Sequence, residues 1–229
     1  MKIVGIIGGL GPESTVDYYR RIIQVWRETD SSSYPSIMID SLDVETGIRL
    51  VTNDHPALIE YLSSSIDRLT RAGVDFITMA ANTPHIVFDE LAGRSTLPMM
   101  SIVEACADEA QRRGYKRLLL LGTRFTMEGP FYPATFGRRG LEVVIPAKAD
   151  RDWVHEKYIG ELLVGNFGDE TRERFLDLIA RLRDEDHPDA LILGGTELPL
   201  FLRADVLAGL PTLDTTELHV RAIVERLRQ

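Results

Sequence analysis

Apolar residues along this chain come in short unbroken runs that alternate with longer stretches of helical spacing. The runs KIVGIIG (2–8), SIMIDSL (36–42) and VDFITMA (74–80) are short and rich in β-branched residues, and they predict strands. Between them lie a predicted helix from about Ser14 to Glu28, a second from Pro56 to Ala72 closed by Gly73, and a third from about Pro84. The second half repeats this order: KRLLLLG (116–122), a helix after Gly129-Pro130, LEVVIP (141–146), helical stretches over 151–163 and 169–184, then DALILGG (189–195). Strands alternating with helices imply βαβ units and parallel sheets.

The halves superpose by a constant shift. Lys2 and Lys116, Gly8 and Gly122, Asp75 and Asp189, and Ala81 and Gly195 each stand 114 residues apart. No linker, low-complexity segment or heptad run interrupts the pattern. The chain therefore reads as two similar α/β lobes, the first over residues 1–98 and 215–229 and the second over 99–214.

Composition narrows the function. A net charge of −9 over 229 residues argues against a nucleic-acid partner, because such binders carry basic faces. The one basic cluster, RRGYKR at 112–117, reads as a solvated helix end. No apolar run approaches a membrane span, and MKIVGIIGG leads into GPEST without a cleavage site, so a cytoplasmic protein is expected. The single cysteine, Cys106, follows Ile102 and Val103 at helical spacing and reads as a core thiol.

In open parallel sheets, ligands bind outside the carboxyl ends of the strands. Four such ends look chemically equipped: GGLGPEST (8–15), AANTPH (80–85), GTRFTMEG (122–129) and GGTELP (194–199). Each is rich in small residues and hydroxyl or amide side chains and opens a predicted helix, whose N-terminal amides suit an anionic group. Helix capping explains any one such loop equally well. Four at matching places favour a site, and two opposed anion cradles would suit a small ligand with two negative ends.

Other chemistries fit less well. GLGPES (9–14) has Ser14 where a dinucleotide fingerprint needs its third glycine, and Asp40 lies 31 residues from Gly9 instead of about 20. The five histidines are scattered without ligand spacing, so no metal is expected, and no GxSxG elbow occurs.

The motifs GIIGGLGPEST, NTPH, LLGTRFTMEGPFY, EKYIGELLVGNF, GGTEL and PTLDTTELH together resemble the aspartate/glutamate racemase family of pyridoxal-independent enzymes, over essentially the whole chain. The resemblance implies two pseudo-symmetric α/β lobes, each with a central parallel sheet flanked by helices, a site between the lobes, no cofactor and a homodimer. It also implies two thiols on opposite faces of a substrate α-carbon, one removing a proton and the other returning one. Those thiols belong at Ala81 and Gly195, which carry none. The resemblance carries ligand contacts onto Gly9, Asn82, Thr83, Thr123, Thr126 and Thr196.

The expectation is a small carboxylate or acidic amino acid as ligand, with the two-thiol mechanism lost and a diverged reaction in its place. Loss of both side chains is expected to enlarge the middle of the cleft. His85, Glu197, Tyr18 and Tyr19 are candidates for proton transfer; His85 serves equally well as a core or capping residue, and Glu197 as a first-turn carboxylate. The alternatives are a non-catalytic metabolite-binding pseudoenzyme or a racemase with engineered cysteine replacements.

Overall fold

The first predicted strand forms the interior of a sheet, with Val4, Ile6 and Ile7 fully buried. This computed structural model describes residues 2–30 and 32–229, and the chain divides into two units, residues 1–102 with 216–229 and residues 103–215.

In the first unit β1 (Ile3–Gly8) leads into α1 (Pro12–Thr29). Pro12 starts that helix where a missing N–H costs nothing, and Thr15, Tyr18, Ile22, Val25 and Trp26 line its buried face at helical spacing. Next come β2 (Ser36–Ser41), α2 (Val44–Asn53), α3 (His55–Arg71), β3 (Phe76–Met79), a 3₁₀ turn (Thr83–Val87), α4 (Phe88–Arg94) and β4 (Met99–Met100). The four strands are parallel in the order β2-β1-β3-β4. Met99 and Met100 pair with Ile77 and Thr78, which keeps them in this sheet. The chain therefore passes to the second unit after Ile102, and not at the expected 98/99 boundary.

The second unit contains most of α5 (Ile102–Arg112), then β5 (Arg117–Gly122), α6 (Arg124–Glu128), α7 (Phe131–Gly137), β6 (Glu142–Val144) and α8 (Lys148–Gly160). A 3₁₀ turn (Leu162–Val164), α9 (Asp169–Asp186), β7 (Ala190–Gly194), α10 (Leu198–Phe201), β8 (Val206–Leu207) and β9 (Leu210–Asp214) follow. Its order is β6-β5-β7-β9-β8, parallel except for the β8–β9 hairpin. With α11 (Thr215–Arg228) the chain returns to the first unit. The hairpin and the helix α2 were not evident in the apolar pattern, whereas α6 and α10 open at the strand-end loops GTRFTMEG and GGTELP as expected.

The internal repeat is physical. Asp75 accepts from the Ile3 amide at 2.6 Å and returns its own amide to the Ile3 carbonyl at 2.9 Å. Asp189 accepts from the Lys116 and Arg117 amides at 2.6 and 2.9 Å and donates to the Arg117 carbonyl at 2.7 Å. The buried stripe of α3 (Leu58, Leu62, Ser65, Ile66, Leu69) has the spacing of that of α9 (Thr171, Phe175, Leu178, Ile179, Leu182). Beyond these helices Gly73 and His187 are both left-handed, with φ of 83° and 48°, a turn that stops the helix. The repeat breaks where α1 runs unbroken for 18 residues while its counterpart is split at Gly129-Pro130 into α6 and α7. Among the described residues no helix is long and apolar enough to cross a membrane.

Candidate functional site

At the end of β1 the chain turns so tightly that only glycine fits. Gly9 has φ of 78°, and a Cβ there would lie 2.5 Å from the Leu42 nitrogen and 2.7 Å from Ser41 Oγ. Its amide donates to Thr15 Oγ1 at 2.9 Å, and that hydroxyl donates to the Gly11 carbonyl at 3.0 Å. The backbone of this loop is thus held by the first turn of α1.

Beyond β3, Ala81 and Asn82 are buried at 5% and 3% exposure, and Thr83 is half-buried. His85 folds back from the 3₁₀ turn: Nδ1 donates to the Ala81 carbonyl at 3.0 Å, while Nε2 accepts from the Ile102 amide at 3.2 Å. These partners select the Nδ1–H tautomer. Burial pushes the His85 pKa down to about 4, so the ring is neutral at pH 7, and Phe88 stacks on it at 5.0 Å. Both nitrogens are engaged with backbone, an arrangement suited to fixing the Ala81 carbonyl.

A second buried imidazole lies in this unit, with partners that no local motif marks. His219, on α11, accepts from the Tyr18 hydroxyl at Nδ1 (3.0 Å) and donates from Nε2 to Thr78 Oγ1 (2.8 Å), which donates to the Met100 carbonyl at 3.2 Å. Burial, reinforced by His85, pushes its pKa to about 3. Tyr18 is thereby committed to a polar chain behind β3, whereas Tyr19 is half exposed. At the end of β2, Asp40 accepts from Ser65 at 2.5 Å and from Arg68, with N–O distances from 2.7 Å. Partial burial opposes its charge, but these bonds hold it below the usual carboxylate range. Asp40 is thus a structural ion-pair residue.

In the second unit Thr123 caps α6, accepting from the Thr126 amide at 3.2 Å, and the two hydroxyls lie 3.2 Å apart. His155, on α8, accepts from the Arg124 amide at 3.3 Å. Past β7, the Thr196 hydroxyl donates to Glu197 Oε2 at 3.1 Å, and Tyr158, also on α8, donates to the same oxygen. Burial, then the Glu197 charge, raises the Tyr158 pKa well above that of a free phenol, so it stays protonated. The expected enlargement does not occur at Gly195, because the Tyr158 ring occupies the space beside its Cα. Tyr158 was missed by the sequence reading: its place in EKYIGELL marks only a buried helix position. Cys106 is buried in α5, and burial, with Asp214 and Glu109 nearby, raises its pKa and keeps the thiol protonated. Among the described residues no group of three or more His, Cys, Asp or Glu is gathered as metal ligands.

With the strand ends in view, the chain can be set beside known proteins. The sequence profile described as Asp/Glu/Hydantoin racemase matches residues 7–223. The chain belongs to this family. A broad specificity amino-acid racemase of Bacillus subtilis (strain 168) is 27% identical over 146 residues, 62% of this chain and 63% of its own length. The chain thus spans less than two thirds of that curated relative. Among solved structures, an aspartate racemase homologue from Pyrococcus horikoshii OT3 is 35% identical with a TM-score of 0.84, all of both chains being covered. An aspartate racemase of Picrophilus torridus is 26% identical with a TM-score of 0.79, covering all of this chain and 95% of that one. Both sheets and their flanking helices thus have the architecture of this racemase family.

Proposed function

We propose that this family member binds a small carboxylate or acidic amino acid at its strand ends and does not racemise it by the two-thiol route. The observation that carries this reading is the pair Ala81 and Gly195: neither can hold or accept a proton, and the one thiol of the chain is buried elsewhere in α5. Asn82, Thr83 and Gly9 in the first unit, and Thr123, Thr126 and Thr196 in the second, supply the short polar groups and helix-opening amides that suit carboxylates. Any turnover is then a one-base reaction. Glu197 is the favoured base, since both ring nitrogens of His85 have backbone partners. The reading includes a homodimer that needs no cofactor, as the family resemblance implies, and a cytoplasmic location.

A second reading, a binding protein without turnover, draws on the two hydroxyls that the Glu197 carboxylate already holds. Incubation with aspartate or glutamate in deuterated water, followed by NMR, tests the loss of racemisation: no α-deuteration is expected, and rapid exchange of either enantiomer overturns it. Binding is tested by calorimetry. Thr83→Val and Thr196→Val are each expected to weaken a bound acid by about 1–3 kcal/mol, the cost of an unpaired buried group. Unchanged affinity in both variants removes the strand-end site.

A further inference from the structure

Gly195 is not required by its backbone, since it is absent from the residues with positive φ. It is required by a neighbour. A Cβ built on Gly195 would lie 2.5 Å from Cε2 and 2.7 Å from Cζ of Tyr158, and closer still to the hydroxyl oxygen. Close-packed interiors do not accommodate carbon atoms at such separations, so one of the two side chains must be absent.

Tyr158 is held too firmly to move aside. It is 3% exposed, and Val154, one turn earlier on α8, is fully buried. Its hydroxyl donates to Glu197 and accepts from the Glu197 amide at 3.4 Å, while Glu197, itself 3% exposed, takes a further bond from Thr196. Swinging the ring out would uncover an apolar surface and remove a donor from a buried carboxylate, both costly.

We propose that Tyr158 is a specificity-determining residue at the carboxyl end of β7: its phenol fills the volume of a side chain at 195, makes glycine obligatory there, and limits the length of the acid accepted. The proposal rests on the preceding reading that an acid binds at the strand ends. The phenol hydrogen is already given to Glu197, so the ring meets the ligand as an apolar wall, and the Glu197 charge turns ligand carboxylates away from it. The fitting ligand is a short-chain acid with its carboxylates directed to the other polar groups.

A double-mutant cycle tests the steric claim without any ligand. Where φ permits, Gly→Ala ordinarily stabilises a protein by restricting the unfolded chain. Gly195→Ala is expected instead to lower Tm by several degrees in the natural background and in Tyr158→Phe, which keeps the ring, and to be neutral or stabilising in Tyr158→Leu. A tolerated Gly195→Ala in the natural background, or the same loss in all three, overturns the claim. The length limit is tested by thermal shift with malonate, succinate, glutarate, adipate, aspartate and glutamate. Tyr158→Leu is expected to improve binding of the longest acids relative to the shortest by about tenfold, the scale of one or two buried methylenes, with Tyr158→Phe keeping the natural preference. An unchanged preference in Tyr158→Leu overturns the length limit. No shift by any acid in any variant removes the binding reading and the length limit with it, while the stability cycle decides the steric claim separately.

Discussion

Ala81 and Gly195 hold matching places just beyond β3 and β7, 114 residues apart, yet the two units finish these places differently. In the first, the finishing group is local: His85, four residues on, ties the Ala81 carbonyl to its own turn. In the second it is distant: Tyr158 arrives from α8, 39 residues before the Glu197 it bonds, and takes the side-chain space of residue 195. A repeated backbone frame therefore does not dictate what fills the end of a strand. The frame is secured by main-chain ladders and paired aspartates, while the filling depends on whichever helix passes over it.

The comparison breaks first, if it breaks, in the shared core. Leu62→Ala and Phe175→Ala alter corresponding buried positions of α3 and α9, and each is expected to cost about 3–5 kcal/mol by urea unfolding. A small loss at either site would show that the matching stripes do not bear matching loads. Acid sharpens the contrast next, because the two strongly depressed histidines, His85 and His219, both belong to the first unit. Their folded pKa values lie below the ordinary 6.5, so the unfolded chain takes up more protons as pH falls. Their contribution is fully present above about pH 6.5 and is lost as pH falls through about 4 for His85 and about 3 for His219. His219→Gln should flatten the dependence of unfolding free energy on pH between 6 and 4.5 by up to about 1.4 kcal/mol per pH unit. A slope unchanged by the substitution would mean that His219 is not neutral and buried.

The smallest expected effects concern the paired aspartates. Asp75→Asn and Asp189→Asn remove carboxylates that accept one and two main-chain amides respectively. Both are exposed, so each loss should stay at or below about 1 kcal/mol, with Asp189 the larger. Equal or reversed losses, read from urea midpoints, would show that the extra amide bond at Asp189 has no net value.

Much of this frame was legible before any coordinates. The helix expected over 56–72 forms over His55–Arg71, and its stop at Gly73 follows from a residue that enters the left-handed region without strain. The second strand end was legible only in part. GGTEL marked the end of a buried strand, but nothing near it named Tyr158, and the vacated position looked open when it is filled. His85 likewise read as a possible proton carrier until Ala81 and Ile102 were seen to take its two nitrogens.

The sequence by itself determined the parallel strands, the helices between them, the 114-residue repeat and the family, because each is written in local periodicity or in contiguous motifs. Only the tertiary structure decided that His219 meets Thr78 across 141 residues, that β4 stays with the first sheet, and that Tyr158 lies against Gly195. The physical reason is that periodicity records which face of an element is buried, whereas the partner buried against it is chosen by close packing among residues far apart in the chain.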